Sequence, residues 1–346
     1  MKRRIQVASL AILAVVTGWS WAHFKIGGAA GEMTAAATAW VETLSPAQKV
    51  TSVLAYEAPE RLDWHFIPKP TRKGFQFKEM NAGQRKAALA LVRSSLSQIG
   101  YDKATKIMEL EKVLAELEKT KVGGNIRDPE RYYFTLFGKP SDTEKWGLSI
   151  EGHHMSLNFV IDKGRVVSST PIMFGANPAI MKSEVVGIKA GTRVLAAEED
   201  LAFQLLASLS DEQRKTAVID ATALKEVRND GKPQPPTDAP AGIPVGKLDA
   251  AQKKRLYDLI AVYAANVPDD VAKERLTEIE KSGFAKVHFA WAGADKPGIG
   301  HYYRIQGETF LIEFVNTQPD AAGNPANHIH CLWRDIRGDF AIPIAK

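Results

Sequence analysis

Apolar positions recur at helical spacing in two stretches of this chain, Leu89, Leu91, Val92 and Leu96 in one and Leu256, Leu259, Ile260 and Tyr263 in the other, which predicts an amphipathic helix in each. Asn81 and Asp249 stand just before them as N-caps. Two earlier helix starts carry the spacing of a capping box, Ser45 with Gln48 and Ser210 with Gln213. There the hydroxyl and the glutamine side chain satisfy each other's backbone donors. Further helices are expected around 104–117 and 270–280. After Arg131-Tyr132-Tyr133-Phe134 and again after His301-Tyr302-Tyr303-Arg304 the period becomes alternating, with aromatic and β-branched residues dominating, the mark of antiparallel hairpins.

These four matches fall in the same order along the two halves. They predict an internal duplication, with copies at about 41–167 and 206–340 paired about a pseudo-two-fold axis in a single globule. The class is α+β, with the helices of each copy covering one face of its strands. The segment 227–246, holding Pro233, Pro235, Pro236, Pro240 and Pro244, reads as a surface loop within the second copy, because proline lacks the backbone donor.

The N-terminus adds a compartment. Lys2, Arg3 and Arg4 precede an apolar run from Ile5 to Val16 and the small residues Gly18, Ser20 and Ala22. That is the order of a signal peptide spanning 1–22, with Gly28-Ala29-Ala30 as a competing cleavage site that would move its end to 30. Cleavage after Ala22 would leave His23 as a terminus able to chelate copper through its amine and ring. The run falls short of the roughly 20 residues a membrane helix needs, and no later segment has that character. The mature chain is therefore expected to be exported, periplasmic or extracellular, without a membrane span. Its 346 residues, 45% hydrophobic, suffice for a large core. A net charge of +5 with no basic run interleaved with aromatics argues against a nucleic-acid groove. With Cys331 as the single cysteine, neither an intramolecular disulfide nor a cysteine-rich zinc site can form.

The densest polar run is Asn327-His328-Ile329-His330-Cys331-Leu332-Trp333-Arg334-Asp335. In a strand, His328 and His330 share a face with Leu332 and Arg334, a spacing at which two imidazoles hold one metal. His154 and Glu313, a lone acid in an apolar strand, are the natural further ligands, while His153 would face the opposite side. Three histidines and an acid suit one divalent ion, zinc, copper, iron or manganese, and leave a position for water or substrate. Arg334 or His301 would then stabilise developing negative charge. This describes a metal-dependent hydrolase or oxidoreductase. The same residues can instead form a buried hydrogen-bond network without metal. In a non-enzymatic binding protein, Trp64, Trp291, Trp333 and the Tyr-Tyr pairs would line a cleft for a small molecule, sugar or peptide; a structural envelope protein would have no such cleft. Ser168-Ser169-Thr170-Pro171 is hydroxyl-rich enough to line a pocket, but no GxSxG, Walker, GxGxxG or HExxH pattern occurs.

The stretches 63–74 (DWHFIPKPTRKG), 79–88 (EMNAGQRKAA), 127–138 (RDPERYYFTLFG), 151–159 (EGHHMSLNF), 166–179 (VVSSTPIMFGANPA), 301–314 (HYYRIQGETFLIEF) and 327–335 (NHIHCLWRD) together resemble the family catalogued as domain of unknown function 3500. The resemblance runs from about Met33 onward, over 33–346 as one family domain. It implies an exported bacterial protein and brings no substrate, cofactor or catalytic residue with it. Residues 319–326 look like an insertion relative to the family, beside the histidine run.

Overall fold

A computed structural model describes residues 28–120 and 126–344; the leader, its cleavage after Ala22 and His23 lie outside them. The first half contributes α1 (Gly28–Glu42), α2 (Pro46–Ser52), β1 (Val53–Leu54), β2 (Phe75–Gln76), α3 (Ala82–Ser95), α4 (Gln98–Leu117), β3 (Tyr133–Phe137), β4 (Trp146–Gly152), β5 (Met155–Asp162), β6 (Arg165–Ser168) and β7 (Ile172–Ala176). The second contributes α5 (Ala196–Ser208), α6 (Asp211–Ala217), β8 (Val218–Asp220), β9 (Ile243–Pro244), α7 (Ala250–Ala264), α8 (Asp269–Gly283), β10 (His288–Gly293), β11 (His301–Gln306), β12 (Leu311–Asn316) and β13 (Ile329–Arg334).

Local chemistry starts the helices. Ser45, Asn81, Ser210 and Asp249 each accept the backbone N–H three residues on, and Gln48, Gln84, Gln213 and Gln252 return the bond to the cap. The boxes are also tied in pairs: the Gln84 amide donates to Gln48 and the Thr43 carbonyl, and the Gln252 amide to Gln213 and the Ser208 carbonyl. Apolar stripes such as Leu256, Leu259, Ile260 and Tyr263 are buried, so tertiary packing stabilises what the caps begin.

All thirteen strands among the described residues form one mixed sheet, ordered β1-β3-β4-β5-β7-β13-β12-β11-β10-β8, with β2, β6 and β9 paired alongside. The fold is thus α+β, with eight helices among the described residues. β1 runs parallel to β3 and β8 parallel to β10, while β7 and β13 meet antiparallel at the centre. The 227–246 segment is not wholly irregular, since Ile243 and Pro244 pair with β10.

Side chains directly opposite in neighbouring strands share a face. Tyr303, Phe314, Cys331 and Phe174 are such a row, packed under the helices in the main core. The next row, Tyr302, Val315, His330 and Gly175, looks the other way. That face is covered by irregular segments: Trp64, Phe66, Val227 and Phe340 pack there on Tyr302, Val315 and Leu332. His330 lies on this loop-covered face.

Candidate metal centre

His330 sits in β13 opposite Gly175 of β7, and the missing side chain there makes room for a third ring. β4 and β5 pair up to Gly152 and Met155, so His153 and His154 form the two-residue turn between them, not part of a regular strand. His154 has φ 61°, in the left-handed region that L-residues adopt sparingly. The turn is fastened on both sides: the His154 N–H donates to the Phe66 carbonyl and its carbonyl accepts from the Gly175 N–H, both at 2.8 Å. A Cβ on Gly175 would lie 2.8 Å from the His154 ring. His328, just before β13, donates its backbone N–H to the Asn316 side chain.

Three Nε2 atoms converge in consequence. His154 and His328 bring theirs to 2.7 Å and His328 and His330 to 3.1 Å, and all three lie within 4.8 Å of one another. The rings stand steeply to each other, at 69°, 81° and 60°. Ligands bonded to one ion at 2.0–2.1 Å with tetrahedral angles are about 3.3 Å apart, a separation that the His328–His330 pair approaches.

The outer nitrogens hold the rings in place. Nδ1 of His330 lies 2.8 Å from both oxygens of Glu226 and donates to that carboxylate, the contact that orients a metal-ligating histidine. The His328 ring is bonded to the Pro319 carbonyl, and the Asn177 side-chain amide nitrogen lies 3.3 Å from its Nδ1. Burial, with His330 as the next cause, pushes His328 down to about 2. Burial likewise holds His154 well below the usual imidazole range, aided by the neighbouring histidines and Arg127. Around this centre His153 stacks on His154 at 3.7 Å and is bonded to Glu111, and the Phe66 ring meets His330 edge-on at 4.8 Å.

The family described as Protein of unknown function (DUF3500) matches residues 27–342. The chain belongs to that family. No curated protein and no solved structure matches it.

In this DUF3500 member the remaining residues expected at the site are placed apart from the triad. Glu313 shares its face of the sheet, but its carboxylate accepts from Arg228 at 2.7 Å and Tyr302 at 2.6 Å; the cation it needs is a guanidinium. Arg334 is fully buried and spends its donors on Asp339 and the carbonyls of Asn229 and Lys232. His301 is on the helical side, opposite Asn316, stacked on Trp291 and 3.2 Å from Glu199. Trp64 and Trp291 are fully buried and cannot wall an open cleft. Among the described residues no helix is long and apolar enough to cross a membrane.

Glu226 is a contributor that sequence reasoning missed. Glu226→Ala is expected to weaken metal binding about 10- to 100-fold, the usual effect of losing the carboxylate behind a ligating histidine, as read by competition with a chromophoric chelator. The depressed His154 and His328 set a pH dependence too. The unfolded chain takes up protons below about pH 6.5 where these folded rings do not, so stability falls with pH from there downward, by up to about 1.4 kcal/mol per unit for each ring. Urea melts of metal-free protein between pH 7.5 and 5 should show this decline; a flat profile would contradict the buried, neutral rings.

Proposed function

We propose that this protein is an exported, metal-dependent enzyme in which His154, His328 and His330 hold one divalent ion. The supporting observation is the convergence of the three imidazoles, the Nε2 of His328 standing 2.7 Å from that of His154 and 3.1 Å from that of His330, so that each ring can offer a lone pair to one shared cation. An all-imidazole set without a carboxylate favours zinc, copper or iron over manganese. His328, the most exposed of the three, marks the side from which water or a small-molecule substrate reaches the ion. Zinc there would activate water for hydrolysis, whereas copper or iron would support oxidation. Metal-stripped protein reloaded with zinc, and separately with copper or iron, should be assayed for hydrolysis of 4-nitrophenyl esters and phosphates and for oxygen consumption. Activity restored by one metal supports the reading. Inertness with every metal contradicts it and favours a second role, a structural metal, for which the near-complete burial of His154 and His330 speaks; there reloading raises only the melting temperature.

Two further readings accompany this. The chain is taken as two diverged copies, 41–167 and 206–340, on the strength of the repeated capping-box networks and the matching parallel pairs β1·β3 and β8·β10. Cleavage after Ala22 is preferred to cleavage after Ala30, because Ala29 and Ala30 are buried in α1 and the Ala29 N–H donates to Asp270 at 2.8 Å. N-terminal sequencing of the exported protein should begin at His23.

A further inference from the structure

His330 of β13 faces Gly175 at one end of the β7–β13 pair; at the other end Ile172 faces Trp333, and there a cavity of about 210 Å³ opens. Trp333 and Phe310 give it an apolar wall, the 168–170 hydroxyls a polar one, and α8 contributes Arg275. The charges around it are unequally matched. Arg165 is paired with Glu274 at 2.9 Å, and Arg337 with Glu278 at 2.9 Å and Asp335 at 2.7 Å. Arg275 has no carboxylate at ion-pair distance among the described residues. It is held by its Nη2, which donates to the carbonyl and hydroxyl of Ser169, and by the Trp333 ring, whose centroid is 4.8 Å from the guanidinium carbon. Its Nε and Nη1 have no hydrogen-bond acceptor among the described residues, both of its bonds running from Nη2. Withdrawal from water pulls its pKa down to about 10, as expected of a cation that lacks a close counter-ion.

We propose that this cavity binds a small organic monocarboxylate, with the carboxylate on the free edge of Arg275 and the apolar body against Trp333 and Phe310. A guanidinium offers a carboxylate two parallel donors, and the indole behind it adds a flat apolar surface. One guanidinium without a counter-ion matches a single negative charge better than a dianion, and the three acids around the cavity are held by Arg165 and Arg337. The amine of a cationic ligand would find them already paired. This site is independent of the metal reading, since Trp333 points under the helices while His330 points to the other face.

Benzoate titrated calorimetrically into the His328→Ala/His330→Ala double variant tests the proposal, because no metal is then available to capture the carboxylate. Benzoate should bind, and its neutral isostere benzamide should bind at least about tenfold more weakly, the worth of one charge-assisted hydrogen bond. Arg275→Gln should lose a similar factor for benzoate. That variant also breaks the tie to Ser169, so the benzoate–benzamide comparison on a chain retaining Arg275 stands by itself. Absence of benzoate binding, equal affinity for benzamide, or tighter binding of inorganic phosphate than of benzoate would each overturn the proposal.

Discussion

Purified wild-type protein is expected to carry one equivalent of a transition metal, and the His328→Ala/His330→Ala double variant less than about a tenth of that, because a lone imidazole cannot retain a divalent ion against buffer. The effect should be large because the three Nε2 atoms are already gathered, and little binding energy goes into organising them. Removing the rings should leave the fold standing. His330 lies on the loop-covered face, whereas the main core of α1, α3, α5 and α7 against β3, β5, β10 and β12 is on the other. Elemental analysis combined with far-ultraviolet circular dichroism reads both quantities. Equal metal content in the two proteins would remove the basis for the proposed activity.

The second large effect concerns stability. Arg334 and Asp339 form an ion pair at 2.6 Å with both side chains at 0% exposure. The same guanidinium holds the carbonyls of Asn229 and Lys232 and lies 5.3 Å from the Trp64 ring centroid. One side chain therefore joins β13 to three separate segments of the covering layer. Arg334→Ala strands a buried carboxylate and is expected to cost about 3–5 kcal/mol, seen as a lower urea midpoint. Arg334→Met combined with Asp339→Leu should recover much of that loss. Were Arg334 instead a group that stabilises charge at a reacting centre, its loss would abolish turnover at unchanged stability.

The helix starts were legible because a capping box is a local device: Ser45 and Gln48, or Asp249 and Gln252, need only three residues of chain to declare themselves. The pairing of His328 with His330 was half legible through strand alternation. His154 was harder. It reaches the triad through a two-residue turn in which a histidine, not a glycine, takes the left-handed conformation, so the run containing it read as regular strand, with His153 and His154 on opposite sides. Glu226 carries no signal at all, standing in an irregular segment 104 positions from its partner His330. Glu313 was expected as a metal ligand, an acid alone in an apolar strand, but its carboxylate is bonded to Arg228, in the proline-rich segment read as surface loop. The Tyr-Tyr pairs mislead in another way. Tyr133 opens β3, the first long strand after its helices, while Tyr302 and Tyr303 lie in β11, the second after theirs. A similar pair of residue types recurs there at different positions in the strand order.

The most direct test of the central claim is X-ray absorption at the edge of whichever metal copurifies with the chain. Three imidazole nitrogens at about 2.0–2.1 Å, falling in number when His154 is replaced by alanine, are the expected result. A first shell of oxygen atoms alone, unchanged in the His154→Ala variant, would contradict it.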